Sequence, residues 1–528
     1  MMSNSTSLFL QTLMYMMNQS AIQNQENSFN YYYTDMNKVM NATRCYGSYG
    51  CFELSPPWIS EYRPISLFPE DINKIEPNYF FFSRKNPTEP VFIDLNDFDF
   101  VQTNNINPHI PMYTITHGFL EGGDRNWIKS ITRELLGREN CNVIVIDWHG
   151  GSDPPYSQAV ANIRLVGAIT AHLLADLARH TGENKLKHVH CIGHSLGAHL
   201  SAYVGYTLQK DFNLKLGRIT GLDPADPHFA QARAPVRLDR SAADYVDVIH
   251  TDASAFIRGG LGLVEKVGHV DYYPNGGNSQ PGCDLTVMQS ISLERGSFFR
   301  GIRSFVGCNH IRAHELFLES INPKCPFMSI SCNSYENLKN GTCFECNKKN
   351  RHCIAFGFHG KGHYERLLKT KEIHPQDNLV QYLMTGSNKP FCRAHYRVTV
   401  DMSNSTESRL HGGEIGQLIF KVYSTRDTKG THSGELVLSE GGYHGPGFRY
   451  HAVISGHGIP YLKTVEVEWR YSSNFLNPLT WRLVKSPKIY ISKVFIESLE
   501  TKQSIMVCPK NEKLIAGIVQ KLMSSYCT

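Results

Sequence analysis

The stretch "KHVHCIGHSLGAHLSAY", residues 187–203, sets a serine between two glycines, after an apolar run and before a run of small residues. Gly193 and Gly197 lack the Cβ atoms that would clash where a strand turns sharply into a helix. Such a turn pushes Ser195 outward, where its hydroxyl can act as a nucleophile or merely sit in a tight turn. His188 to Ile192 suits a short buried strand and Leu196 to Val204 a helix start, the context that a G-x-S-x-G nucleophile needs. Outward from this turn, short β-branched runs alternate with helical stretches: "MYTITHGF" (112–119), "CNVIVIDW" (141–148), "AVANIRLVGAITAHLLADLARH" (159–180) and "RITGLD" (218–223). This alternation predicts an α/β fold with a largely parallel sheet, whose chemistry collects at the C-terminal ends of the strands. "VIVID" ends there at Asp147, "HVHCIG" at the Ser195 turn and "RITGLD" at Asp223.

Near residues 385–394 the pattern changes to period-two segments separated by Gly, Ser and Asn: "HYRVTVDM", "GQLIFKVYS", "GELVLSE", "KTVEVEWRYS" and "KIYISKVFIES". These predict an antiparallel β-sandwich. The expected organisation is a leader over 1–44, an α/β domain over 45–388 and a β-sandwich over 393–527. In the leader, "SLFLQTLMYMM" (7–17) is apolar enough for a signal sequence but lacks the preceding positive charge, and the polar, Asn/Gln-rich stretch after it has the composition of a disordered segment.

With 528 residues, 41% hydrophobic and 19% charged, the composition is that of a globular protein. No uninterrupted apolar run reaches the roughly 18 residues of a membrane span. A net charge of +5 is too small and dispersed to argue for nucleic acid. Fourteen cysteines cluster locally as Cys45/Cys51, Cys283/Cys308, Cys332/Cys343, Cys346/Cys353 and Cys508/Cys527. Disulfides and, for Cys332 to Cys353, a four-thiolate zinc site are the two readings. Sequons at Asn41, Asn340 and Asn404 fit passage through the secretory pathway and favour disulfides and secretion.

A serine hydroxyl needs a base and a carboxylate to orient that base. Asp223, closing the strand after Ser195 and preceding Pro224, is either that carboxylate or a turn cap. The base is not chosen by composition: the chain has 24 histidines, and His228, His250, His269, His310 and His314 all follow Asp223. His194, beside the serine on the same turn, reads as a packing residue.

In this order, "HGF" (117–119), "GHSLGAH" (193–199), "RITGLDPADP" (218–227), "DVIHTD" (247–252), "VGHVDYYPNGG" (267–277) and "CNHIRA" (308–313) resemble the pancreatic lipase family. The similarity runs from about 45 to 527 and includes the β-sandwich, which resembles that family's PLAT domain. The resemblance implies an α/β-hydrolase fold and a secreted triacylglycerol lipase. It implies Ser195 as nucleophile, Asp223 as acid, His310 as base, and the backbone N–H groups of Phe119 and Leu196 as oxyanion hole. It makes the Cys283–Cys308 loop, 284–307, a lid, and "SAFIRGGLGLVEK" (254–266) a second loop over the site; loops of this length favour triacylglycerol. A phospholipase A1 or galactolipase would use the same triad, and a non-catalytic lipid-binding or yolk-type protein is the reading from another class. The implied partners are a lipid surface and a colipase-like protein on the β-sandwich. No cofactor is needed for the chemistry. The family's calcium loop resembles 234–244, with Ala234 and Arg237 as carbonyl donors and Asp239 as carboxylate, but Ala242 stands where a second Asp is expected. Cys141 lacks its implied partner, Thr132 being in that place, which leaves Cys141, Cys191, Cys325 and Cys392 unassigned; Cys191 reads as a buried core residue.

Overall fold

The apolar runs expected as buried strands do form them. The computed structural model describes residues 42–527 except 64–65, 96, 98–99, 104–105, 182–185, 255–259, 284–297, 347–350, 427–429, 439–440 and 473–486, with backbone alone at 100, 181 and 298–306. The chain forms two units, one of residues up to Asn322 together with Gly357–Gln381, the other of Pro323–Phe356 together with Tyr382–Thr528.

In the first unit, β1 (Thr43–Cys45) and β2 (Cys51–Glu53) make a small antiparallel hairpin. A large sheet holds β3 (Asn78–Ser83), β4 (Asn86–Phe92), β5 (Met112–Thr116), β6 (Asn142–Asp147), β7 (Leu186–His194), β8 (Leu216–Leu222), β9 (Val246–Ile249) and β10 (Val270–Pro274). They lie in the order β10-β9-β8-β7-β5-β6-β3-β4. From β6 to β10 all neighbours are parallel, while β3 pairs antiparallel with both β4 and β6. Every residue of β5, β8, β9 and β10 is buried, as parallel strands covered on both faces require.

The longer helices of this unit are α1 (Asn126–Arg138), α2 (Tyr156–Thr181), α3 (Leu196–Phe212) and α4 (Phe298–Ile321). α2 is long and apolar enough to cross a membrane by composition, yet 89% of its apolar window is buried inside the protein, which makes it a core helix. It approaches α3 so closely that a Cβ on Gly167 would lie 2.7 Å from the Cβ of Tyr203. β7 and α3 sit at the centre of this unit, and the turn between them carries Ser195.

The second unit begins with the antiparallel pair β11 (Met328–Ser331) and β12 (Cys353–Ala355). After β13 (Leu379–Leu383), which straddles the division, come β14 (Ala394–Met402), β15 (Glu414–Tyr423), β16 (Leu436–Val437), β17 (Gly442–His444), β18 (Arg449–Gly456), β19 (Thr464–Tyr471), β20 (Lys488–Ser498), β21 (Ser504–Pro509), β22 (Lys513–Ile515) and β23 (Gln520–Met523). They form an antiparallel sheet in the order β16-β15-β19-β23-β21-β20-β14-β18, with β17 on β15 and β22 on β20, consistent with the expected β-sandwich. The period-two pattern has its physical reason in β14, where Tyr396, Val398 and Val400 face a core shared with Leu418, Phe420, Trp469, Val494 and Ile496. Of the expected strand at 434–440, Leu436–Val437 form one; Gly434 takes φ +76°, outside the strand region, and 439–440 lie outside the described residues.

The division differs from the expected boundary between 388 and 393 in two respects, the first being that the later part of the second unit already begins at Tyr382. The other is that residues 323–356 leave the first unit and join the second. The Cys325–Cys392 disulfide ties them there, and Ile330, Leu338, Cys343 and Phe344 share an apolar cluster with Met384, Val453 and Leu499.

Candidate active site

The turn between β7 and α3 holds Ser195 at φ 56° and ψ −120°, a left-handed conformation that costs a non-glycine residue on the order of 1–3 kcal/mol. Its surroundings impose it. A Cβ on Gly193 would collide with the carbonyl of Gly197, and one on Gly197 would lie 2.6 Å from the carbonyl oxygens of Thr116 and His117. The Ser195 N–H donates to the Leu222 carbonyl at 3.0 Å, which fastens the turn to the end of β8. Leu196 is the first residue of α3, so its N–H belongs to the helix-terminal donors without an intrahelical partner.

Asp223 follows β8 and is fully buried, with φ 43°. Its Oδ2 accepts from Nδ1–H of His310 at 2.6 Å. Its Oδ1 accepts from the N–H groups of Thr251 at 2.7 Å and Asp252 at 3.1 Å. One oxygen of Asp223 thus meets a histidine and the other holds the backbone of the 251–252 turn. A Cβ on Gly262 would lie 2.5 Å from that carboxylate, so the segment 254–266 presents bare backbone there. His310 sits in the middle of α4, two residues beyond Cys308, whose disulfide to Cys283 ties this part of the helix down. Burial, then the neighbouring charge of His194, lowers its pKa from the ordinary histidine value against the opposing pull of Asp223. Burial, then the charge of Asp223, holds the carboxyl of Asp252 well above the usual range.

The segment 117–119 lies directly against the serine. A Cβ on Gly118 would be 2.8 Å from Ser195 Cβ and 3.3 Å from Ser195 Oγ. Trp148 braces this segment by donating from Nε1 to the His117 carbonyl at 3.1 Å and stacking on its ring at 5.1 Å. Phe119, expected to supply an oxyanion donor, is the next residue along. Two further residues, not anticipated from sequence, meet here. The Glu121 carboxylate accepts from Gly118 N–H at 3.0 Å, Trp127 Nε1–H at 3.2 Å and His194 Nδ1 at 3.2 Å. His194 uses its other nitrogen, Nε2, on the backbone carbonyl of His310 at 3.3 Å. His194 is thus more than the packing residue its position suggested. The available signal was an acidic residue two places after Phe119 in the connection between β5 and α1.

Six disulfides are present among the described residues: Cys45–Cys51, Cys283–Cys308, Cys325–Cys392, Cys332–Cys343, Cys346–Cys353 and Cys508–Cys527. The pairing within Cys332–Cys353 removes the thiolates that a zinc site would need. Cys141 and Cys191 are free and buried, and burial pushes both thiols up to about 12, so neither is a nucleophile at neutral pH.

The segment 234–244 does not fit a calcium ion as it stands. The Asp239 Oδ1 accepts from both N–H (3.0 Å) and Oγ (2.8 Å) of Ser241, while Oδ2 lies 3.9 Å from the Arg237 guanidinium. The Arg237 carbonyl accepts from Tyr206 Oη at 2.9 Å. Ala242 is buried with no side-chain oxygen, and Asp244 faces Lys215 at 3.4 Å. One engaged carboxylate and two carbonyls, that of Ala234 included, fall short of the six to eight oxygens calcium takes.

Of the expected lid, 284–297 lie outside the described residues and 298–307 form the start of α4; of the second loop, 255–259 lie outside them. The profile of the Lipase family matches residues 42–391. Pancreatic lipase-related protein 2 of Myocastor coypus is 35% identical over 408 residues, 75% of this chain and 84% of that protein. Inactive pancreatic lipase-related protein 1 of Mus musculus is 36% identical over 365 residues, covering 69% and 74% of the two chains. Pancreatic triacylglycerol lipase of Myocastor coypus is 32% identical over 446 residues, covering 83% and 90%. With a profile match over more than half its length and relatives matched along most of theirs, the chain belongs to the pancreatic lipase family.

Proposed function

We propose that this protein is a secreted lipase that hydrolyses the carboxylic esters of triacylglycerol through an acyl-serine intermediate. The observation that carries the reading is the 2.6 Å bond between His310 Nδ1 and Asp223 Oδ2 at the strand ends beside the strained Ser195 turn. That bond fixes the His310 tautomer, so Nε2 faces the reaction as the basic nitrogen. Ser195 Oγ attacks the ester carbonyl as Nε2 takes its proton. The tetrahedral oxyanion is held by the N–H groups of Phe119 and Leu196, and the proton passes to the leaving alcohol. Water then repeats the attack on the acyl-serine, with His310 again as base. Secretion is supported by the six disulfides, which belong to an oxidising compartment.

Ser195→Ala tests the reading. On emulsified triacylglycerol and on a soluble short-chain ester its kcat falls at least 10³-fold; activity within a few-fold of the unaltered protein removes Ser195 from the role. The same emulsion, run beside phospholipid and galactolipid with and without a colipase-like protein, decides the substrate class and that partner. A rate rising above the ester's solubility limit is the expected mark of gating by 284–307. An inactive reading is favoured by one observation, the resemblance to a relative named as inactive, and the unaltered protein's failure on all three lipids would establish it.

A further inference from the structure

Around Ser195 the chain must hold three separate backbone pieces in register: the turn 117–119, the elbow at 193–197 and the middle of α4, which carries His310. The side chain common to them is the carboxylate of Glu121. Three donors converge on it from three places, namely Gly118 N–H, Trp127 Nε1–H on α1 and His194 Nδ1 at the end of β7. Through His194 Nε2 the connection continues to the His310 carbonyl at 3.3 Å. We propose that Glu121 and His194 are positioning residues of the hydrolytic site, a buried pair that sets the oxyanion turn against Ser195 and holds the backbone of the base. The proposal rests on the reading of Ser195, Asp223 and His310 as the triad.

The chemistry of the pair is set by its partners. Both ring nitrogens of His194 face oxygens that only accept, a carboxylate and a carbonyl, and an imidazole bonded to two acceptors is the protonated form. Burial disfavours that charge, but the bond to Glu121 outweighs it and raises the pKa of His194 above the ordinary value. Burial likewise opposes ionisation of Glu121, and His194 outweighs it, holding the carboxyl well below the usual range. The two acceptors on His194 and the directions of both shifts favour the ion pair, and the contact is buried, with 3% of the His194 side chain and 11% of the Glu121 side chain exposed. Single removal of either charge leaves the other buried alone.

Two consequences reach the reaction. Gly118 precedes Phe119, so the bond from Gly118 N–H to Glu121 fixes the peptide next to the expected oxyanion donor. The second is electrostatic, since the rings of His194 and His310 are 4.6 Å apart. His194 faces Glu121, His310 and His314, with Asp223 beyond; His310 faces Asp223, Asp252, His194 and Glu121. The positive charge on His194 favours a neutral His310, the form that can accept the serine proton.

Glu121→Gln, which keeps the shape and removes the charge, tests this in the full chain. Three quantities are read on a soluble ester: kcat and KM across pH, the rate and stoichiometry of Ser195 labelling by an alkyl fluorophosphonate, and thermal stability. The expected result is a kcat lower by about 10- to 100-fold, somewhat less than loss of a whole oxyanion donor, with KM within twofold. Labelling stays stoichiometric but slower, and the acid limb of kcat/KM moves to higher pH. A kcat per labelled site within twofold of the unaltered protein, with the acid limb unmoved, overturns the proposal. If Glu121→Gln does not fold, Glu121→Asp takes its place: retention of the acid limb with a reduced kcat per labelled site supports the proposal, and an unchanged kcat sinks it. Ser195→Ala separates the two levels, because retained activity there fells the triad reading, whereas an inert Ser195→Ala beside an unaffected Glu121 variant fells only this one.

Discussion

Two buried histidine–aspartate pairs lie at the C-terminal side of the parallel sheet and differ in what they leave free. His250 and Asp271 are both fully buried and meet at 2.8 Å, much as His310 and Asp223 meet at 2.6 Å. His250, however, spends its second nitrogen on the Leu263 carbonyl at 2.8 Å. Asp271 also accepts from Val267 N–H and Gly268 N–H, both at 3.1 Å, and from Asn378 Nδ2 at 2.6 Å. That pair is saturated and has no atom left for a substrate. His310 bonds its aspartate through Nδ1, shows no hydrogen bond on Nε2 among the described residues, and stands beside a turn strained at Ser195. The contrast teaches that a His–Asp contact is chemically neutral evidence; what the second nitrogen of the histidine meets separates a saturated pair from one that could serve a substrate.

The contrast can be broken experimentally, and the largest effect is expected at the triad pair. Asp223→Asn removes the charge that fixes the His310 tautomer and is expected to lower kcat by about 10⁴-fold, measured on a soluble ester, while far-ultraviolet circular dichroism stays unchanged. Asp271→Asn inverts that result. It is expected to cost on the order of 1–3 kcal/mol of stability, because one partner of a buried, fully bonded network no longer matches. Chemical denaturation reads that loss, and kcat per active site stays within a few-fold. Should Asp271→Asn instead silence a folded protein, the division between structural and catalytic pairs is wrong.

A smaller effect concerns pH. The folded-state pKa of His310 lies below the ordinary value of about 6.5. The neutral base therefore persists as pH falls through that ordinary value, and kcat/KM declines only at lower pH, about tenfold per pH unit beyond the folded value. For His194 the sign is opposite: raised above the ordinary value, its ion pair with Glu121 is complete below about pH 6.5 and is lost as pH rises through the folded value. A shallow alkaline decline in kcat, absent in Glu121→Gln, is the expected trace.

What the sequence made legible was what is local. The Ser195 turn could be read because two glycines flanking one serine are needed for one close backbone approach, and Asp223 because strand ends are visible in the β-branched pattern. His310 was not legible from pattern, being one of 24 histidines, and came only through resemblance; its partner is reached through space. Glu121 and His194 escaped for the same reason, since only the adjacency of β5 and β7 brings them together. Cys325 and Cys392, 67 positions apart, carry no local spacing signal. The period-two alternation in β14, β15, β19 and β20 was plain because one face of each strand meets a common core. The departure of 323–356 to the second unit was not: its five cysteines signal local cross-links, and they do not say on which unit the segment packs.

That departure bears on how the protein can be taken apart. The polypeptide passes between the two units at 322/323, 356/357 and 381/382, so no single cut yields both as intact pieces. A recombinant fragment starting at 393 would leave behind Ile330, Leu338 and Phe344 and uncover Val453 and Leu499, their apolar partners. Deletion series that step inward from the C-terminus will therefore report on the folding of a threaded assembly, and loss of activity in them says nothing by itself about lipid or partner binding by the β-sandwich.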